Sequence, residues 1–429
     1  MSAEKAIKTP EEKVRTLQIK LSCAAKQSIT RRFGALYDKV YRMDVLWVAW
    51  KRVRANDGAP GYDQADFECI EKETGAEKFL TDLHGDLYRE EYRPQPVLRC
   101  WIDKPGKPDK RPLGIPTIRD RVAQMALKLI IEPIFETNFM PCSHGFRPGR
   151  SCHTAMREID RAITFDGMKA VIDADIVGCF NNIRHDLLLQ LISRRISDKR
   201  VLRLIRAWLK AGVMEDGVYK DSGDVGSPQG GVISPLLSNI YLHTFDKMFA
   251  QSGIQGKLVR YCDDFVVLVK GDARRALELV RSMLKKLGLE MHSGKTRLAD
   301  VRDGFDFLGV HFRLTPTRKA GARRRAVCRM WPSDKSIRSF KLKVKEAIGR
   351  KYFLAIEDIV KILNPVIRGW NNYQTRGAKW VTPKRFIALN RFVYERIRIF
   401  LKRKYEDKSR GYKRVSNSLL LELGLAQFG

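Results

Sequence analysis

Two adjacent aspartates, Asp263 and Asp264, sit between apolar, β-prone runs in Arg260-Tyr-Cys-Asp-Asp-Phe-Val-Val-Leu-Val269. Such flanks read as two strands joined by a tight turn, a place that ordinarily recruits Gly or Asn because they tolerate positive φ. Two like charges there repel, and neither residue has the freedom of glycine. A divalent cation would make the pair useful, because hard cations take carboxylate oxygens, keep several waters and hold substrate phosphates. In Val171-Ile-Asp-Ala-Asp-Ile176, Asp173 and Asp175 share one strand face, since side chains alternate with period two. If that strand neighbours the hairpin in a sheet, one or both of these carboxylates meet the turn. Converging carboxylates need counter-charge. Two cations about 4 Å apart would activate an attacking oxygen and stabilise a leaving one in phosphoryl transfer. The plain alternative is an exposed turn with unrelated acidic residues.

The elements that must position these groups follow from pattern. Residues 1 to about 85 read mostly helical and run into the glycine-rich loop Asn56-Asp-Gly-Ala-Pro-Gly-Tyr-Asp63. From Pro94 to Pro116 the chain is extended and punctuated, with Lys104, Lys107, Lys110 and Arg111 crowding a Pro/Gly hairpin tip. Asp120 is placed as the N-cap of a helix through Val122, Met125, Ala126, Leu129 and Ile130. A helical stretch covers 185–212, and Gly226-Ser-Pro-Gln-Gly-Gly-Val-Ile-Ser-Pro235 leads into an apolar helix. Strands and helices alternate without a regular βαβ period, which implies α+β with an antiparallel sheet. Beyond about residue 330 the chain reads helical. Thr382-Pro383 forms an N-cap and first-turn pair before the apolar stripe Phe386, Leu389, Phe392, Val393, Ile397 and Phe400. Lys384, Arg385, Arg391, Arg398, Lys402 and Arg403 occupy much of the rest of that helix, as a nucleic-acid surface or a solvated face.

A chain of 429 residues with 44% apolar residues can bury a core spread over two to four subdomains. No apolar run approaches the ~18 residues that span a bilayer, and the polar start MSAEKAIKTPEEK carries no signal-peptide core. The expectation is a soluble, cytoplasmic protein with no membrane partner. Eight cysteines without a CxxC argue against a disulfide framework and a zinc finger. Cys142, His144, Cys152 and His153 cluster at a spacing that fits no common zinc pattern and reads as packing. The net charge of +32 is more telling, and about two thirds of it lies beyond residue 310. That asymmetry points to a polyanion. The regular period of the C-terminal stripe favours packed core and nucleic acid over a membrane surface.

Tyr261-Cys-Asp-Asp264 resembles the catalytic signature of reverse transcriptases, and Asp175-Ile-Val-Gly-Cys-Phe180 their other metal-binding motif. Order and flanks are similar to group II intron reverse transcriptase/maturases, and without a Cys/His-rich nuclease segment in the sequence the expectation is the compact, endonuclease-lacking kind. Asn56-Asp-Gly-Ala-Pro-Gly61 resembles their N-terminal motif, and Arg111-Pro-Leu-Gly-Ile-Pro116 with Ser143-His-Gly-Phe-Arg-Pro-Gly-Arg150 their fingers. Ser227-Pro-Gln-Gly-Gly231, Ser234-Pro-Leu-Leu-Ser-Asn239 and Phe307-Leu-Gly309 resemble the palm, and Leu363-Asn-Pro-Val-Ile-Arg-Gly-Trp370 the thumb. The resemblance implies a right-hand polymerase: N-terminal helical extension and start of the fingers over 1–85, fingers and palm over 86–315, and a basic all-α thumb over 316–429.

It also implies an RNA-directed DNA polymerase that binds group II intron RNA and assists its splicing and mobility. RNA template, DNA primer or target and dNTPs would be its partners. A splicing maturase with an idle polymerase, or a domesticated relative in defence or DNA repair, are the alternatives. In the family's terms Asp175, Asp263 and Asp264 hold two Mg²⁺ ions, with Mn²⁺ as a substitute, and the Ile176 carbonyl completes a shell. Asp173 is a minor contributor. Phe180 would lie under the sugar and exclude a 2′-hydroxyl; a plain core Phe is the alternative. Lys104 and Arg111 would grip the triphosphate, with Lys107 or Lys110 able to replace Lys104. Gln229 would line the nucleotide pocket, and Lys295 would protonate pyrophosphate or stand solvated. Arg368 joins the basic residues of the thumb as an RNA contact. Cys262 replaces the usual Ala, and Cys179 and Asn181 the common Phe and Asp.

Overall fold

The computed structural model describes residues 8–103, 110–227, 230–316, 326–377, 383–406 and 415–429. Its centre is a four-stranded antiparallel sheet in the order Gly256–Tyr261, Asp264–Val269, Ala170–Asp175, Arg297–Asp300. Phe265, Val267, Ile172 and Ala174 face the larger core, shared with the helices Ile118–Glu136, Ser234–Ala250 and Ala273–Lys286. The alternate residues Val171, Val259, Val266 and Leu268 join a second core with the helix Cys152–Thr164 and the three-stranded sheet of Phe305–Phe307, Val310–Pro316 and Ala326–Pro332. Burial on both faces explains why Phe265-Val-Val-Leu-Val269 is apolar without alternation. Asp173, Asp175 and Asp264 lie on the second face, at the end the apolar cover leaves open.

Around this sheet the elements follow local chemistry. The first helix, Pro10–Gln27, starts at a capping box in which Thr9 and Glu12 satisfy each other's backbone amides. Together with Met43–Arg54 it packs on the apolar helix Ile118–Glu136. That helix is capped by Thr117 and not by Asp120. Asp120 sits buried one turn in, where it accepts hydrogen bonds from Thr117, Tyr92 and the Gln95 amide. The correction has a simple cause: a hydroxyl was available three residues upstream, so the carboxylate could bridge to the preceding loop. The expected helical stretch 185–212 is two helices, His185–Ser193 and Lys199–Leu209, because the Asp198 side chain caps the second. A further sheet is mixed, since Val97–Asp103 pairs antiparallel with Lys110–Ile115 but parallel with Val213–Glu215.

The C-terminal region is helical, with Asp334–Ile348, Ile356–Gly377, Pro383–Lys404 and Asn417–Glu422 enclosing a third core. Leu389, Val393, Ile397 and Phe400 are buried in it as the period requires, while Phe386 and Phe392 pack at its margin. Thr382 falls outside the described residues. No described helix is long and apolar enough to cross a membrane.

Among the buried polar side chains, His243 is left without compensation at both of its ring nitrogens. Neither has a hydrogen-bond partner, and burial lowers the pKa of His243 to about 4. Its folded pKa lies below the unfolded value, so its neutral form supports the fold above about pH 6.5 and loses that support as pH falls towards 4. His243→Leu is expected to stabilise the protein, with a margin over wild type that grows by on the order of 1–2 kcal/mol between pH 7 and 4.5 in urea unfolding. A margin independent of pH would contradict this.

Candidate active site

The register sets Asp175 directly opposite Asp264, and Tyr261 opposite Asp264 on the other side, with Cys262 and Asp263 as the two-residue loop. Directly opposed side chains in an antiparallel pair stand about 5 Å apart. Cys262 adopts φ 61°, so positive φ falls on the first loop residue, a position that favours glycine. What holds a cysteine there is Arg260, whose side chain is fully buried. Its Nε and Nη2 donate to the Asp246 carboxylate at 2.8 and 2.6 Å. Nη1 donates to the Cys262 carbonyl at 2.9 Å and to Asn239 at 3.2 Å, and Nη2 to Ser143 Oγ at 2.9 Å. Burial opposes the guanidinium charge, but Asp246 more than restores it and leaves the Arg260 pKa above its ordinary value. Gly145 closes over the turn: a β-carbon there would lie 2.5 Å from Cys262 Sγ and 2.6 Å from its backbone nitrogen. Asn239 Nδ2 secures the Gly145 carbonyl at 2.8 Å.

The carboxylates are short of counter-charge. Burial first, then Asp263, Asp175 and Asp173, raise Asp264 to about 6, against the pull of Lys295. Burial raises Asp263 as well, while the Arg111 and Arg260 guanidinium groups oppose it. Asp173, paired in register with Arg297, is likewise raised to about 6, chiefly by burial. Lys295 makes an ion pair with Asp175. Its loop is tied to the strand end, because His292 N–H donates to the Asp175 carbonyl and Val177 N–H to that of Glu290, both at 2.9 Å. Among the described residues no three His, Cys, Asp or Glu side chains already converge as a metal cage. The donor set nevertheless fits a hard divalent cation: carboxylates only, Asp175 and Asp264 in register with Asp263 in the adjoining turn, and two of the three, Asp263 and Asp264, raised in pKa chiefly by burial.

The neighbouring motifs meet beside this cluster. Ile176 is buried at the strand end, and Phe180 is half-buried in the turn that follows. Ser227 N–H donates to the Phe180 carbonyl at 2.7 Å, which brings Ser227 onto that turn. Gly230, at φ 118°, presses on the backbone of Gly114 so closely that a side chain has no room. The strand Lys110–Ile115 therefore abuts Gly230, and exposed Arg111 lies near enough to act on Asp263. Lys104, Lys107 and Gln229 lie outside the described residues; Lys110 stands 3.8 Å from Asp103 across the hairpin.

On the far side, Leu308 and Gly309 form a tight turn, both at positive φ, and Tyr373 of the thumb donates to the Leu308 carbonyl at 2.8 Å. Arg385 donates to the Pro332 carbonyl, lies over the Trp331 ring, and lines a cavity of about 570 Å³ together with Asp173, Arg297 and His311. Arg368, Lys384, Arg391, Lys402 and Arg403 are exposed, with Arg391 paired to Glu395 at 3.0 Å. Arg398 must be removed from the exposed basic face. It is only 7% exposed, and its guanidinium donates to the Val415 carbonyl and Asn417. Sequence reasoning quoted Arg260, Asn239 and Gly145 inside motifs without giving them a role, and it missed Asp246. The signal at Arg260 was a charged side chain inside the apolar run Leu258-Val-Arg-Tyr261.

Residues 102–312 match the family described as reverse transcriptase (RNA-dependent DNA polymerase), and residues 337–417 match the group II intron maturase-specific domain. The group II intron-encoded protein LtrA of Lactococcus lactis is 31% identical across 87% of this chain and 75% of its own length. The chain belongs to the group II intron-encoded reverse transcriptases. The protein YkfC of Escherichia coli is 33% identical over 68% of the chain and 86% of its own length. An uncharacterised 91 kDa protein in the cob intron of Schizosaccharomyces pombe is 29% identical over 78% and 50% respectively. A group II intron-encoded reverse transcriptase joins an RNA-directed DNA polymerase to a maturase domain, acts on RNA and DNA, and belongs to a class that uses divalent metal ions.

In this reverse transcriptase the buried ion pair is the first place to probe. Asp246→Ala strands the Arg260 charge and is expected to cost about 3–5 kcal/mol in urea unfolding. Replacing both partners, Arg260→Met with Asp246→Leu, should cost clearly less, because no unpaired charge remains. A single variant within about 1 kcal/mol of wild type would mean that the pair does not hold the turn.

Proposed function

We propose that Asp175, Asp263 and Asp264 form the nucleotidyl-transfer centre of this reverse transcriptase and would hold two Mg²⁺ ions, or Mn²⁺ in their place. The observation that carries the reading is the register of Asp175 against Asp264, with Asp263 in the intervening turn. The bound ions would supply Lewis-acid activation of the primer 3′-hydroxyl and charge neutralisation on the leaving pyrophosphate. The remaining work belongs to the chain. Arg111 grips the triphosphate, a task suited to a fixed, always-charged fork; Lys104 and Gln229 are assigned by motif to the same nucleotide. Phe180 offers a rigid edge beneath the sugar, and the Ile176 carbonyl an oxygen beside the carboxylates. Lys295, in contact with Asp175, would carry a proton to pyrophosphate. Arg368, Lys384, Arg391, Lys402 and Arg403 present the exposed charge that would bind group II intron RNA and the template–primer duplex.

The reading of a splicing cofactor with an idle polymerase would be favoured by altered carboxylates, and all three are present. Primer extension on an RNA template with a DNA primer, dNTPs and Mg²⁺ separates the two. Wild type is expected to extend, and Asp263→Ala to lose about 10³-fold or more while still binding RNA, since the lost metal contact supplies several kcal/mol to the transition state. A folded, RNA-binding wild type that does not extend would favour the cofactor. Extension that survives the substitution would show that the hairpin is not the site.

A further inference from the structure

Phe146 is the residue beside this site that its packing does not explain. It occupies the left-handed region at φ 54°, which disfavours any β-carbon and in which glycine or asparagine is the usual occupant. It is also 54% exposed, so the strained backbone serves no core contact that would justify an aromatic ring. Both neighbours are pinned. The Gly145 carbonyl is held by Asn239, and Gly145 packs so closely on the Cys262 backbone that a β-carbon has no room. The Arg147 side chain is 5% exposed and donates to Glu136 at 2.6 Å and to the Met140 and Ser143 carbonyls at 2.8 Å. Between two fixed residues, the ring is committed to solvent next to the turn that carries Asp263.

The two flanks of the carboxylates differ in chemistry. On the flank of Ala170–Asp175 and Arg297–Asp300 stand Lys295 and Arg297, charges suited to phosphates. On the other flank the Ser143 bridge to Arg260 adds residues 142–144 beyond the edge strand, and Phe146 follows directly with an apolar face. We propose that Phe146 is a stacking platform for a base of the template strand, at the first unpaired position beyond the primer terminus. An unpaired base has a free π-face, and stacking accepts all four bases, as copying any template demands. The inference rests on the polymerase reading above.

The test is equilibrium binding of the full chain to an RNA template–DNA primer duplex with a template overhang, intact or carrying one abasic residue at the first unpaired template position. For wild type the abasic substitution is expected to weaken binding about 5- to 100-fold, the range of one base–aromatic stack. Phe146→Gly should weaken binding to the intact duplex by a similar factor and become indifferent to the abasic residue. Its melting temperature should be unchanged or higher, since glycine suits this φ. An abasic residue at the primer terminus serves as the control arm. Phe146→Gly binding as tightly as wild type, keeping its sensitivity to the template lesion, or losing sensitivity only to the primer lesion would each overturn the proposal. Extension of the intact duplex by wild type is read in the same samples, so failure of the polymerase reading shows there and not in the variant.

Discussion

The positive charge of Arg260 has to be neutralised inside the protein, and the groups that neutralise it are the ones that shape the turn carrying Asp263. A fully buried guanidinium costs several kcal/mol unless its donors are satisfied. Here they are met by Asp246 and Asn239 from one helix, Ser143 from a remote loop, and the carbonyl of Cys262 two residues on. The same network fixes Gly145 through Asn239, so the loop that closes over the turn is tied to the charge beneath it. Three stretches distant in sequence thus converge on one ion pair, and the geometry of the aspartates follows from it.

That scaffold is needed because the site works against itself. Burial and mutual repulsion raise Asp264 and Asp263, and a chain free to relax would separate them. The sheet prevents this, since both of its faces are packed and a slip of one residue would turn every apolar side chain to the wrong face. That electrostatic cost is what a bound divalent cation would relieve. Strain gathers at the same place: Cys262 and Phe146, two of the residues at positive φ, lie where the Gly145 loop meets the turn.

The parts of this arrangement that depend on local period were legible in the sequence. Period two put Asp173 and Asp175 on one face, and the apolar flanks of Asp263 marked a hairpin; together they anticipated carboxylates meeting across strands. The stripe from Leu389 to Phe400 likewise showed its inner side. What depended on tertiary contact was not legible. Arg398 has the helical position of a surface residue, yet it faces Val415 and Asn417, which return from the end of the chain. Asp120 has the residue type of an N-cap, but Thr117 supplied the cap and freed the carboxylate for Tyr92. Arg260 looked like an ordinary flank, because nothing local indicates that Asp246 lies beneath it.

The central claim is that the opposed carboxylates are metal ligands held in place by the fold. The most direct measurement is a titration of the protein with Mn²⁺, followed by electron paramagnetic resonance of the free ion, for wild type and Asp264→Asn. The account predicts saturable binding by wild type that is weakened at least about tenfold when one of the opposed carboxylates loses its charge. Equal binding by the two proteins would contradict it, and would leave the paired aspartates without the role that their position suggests.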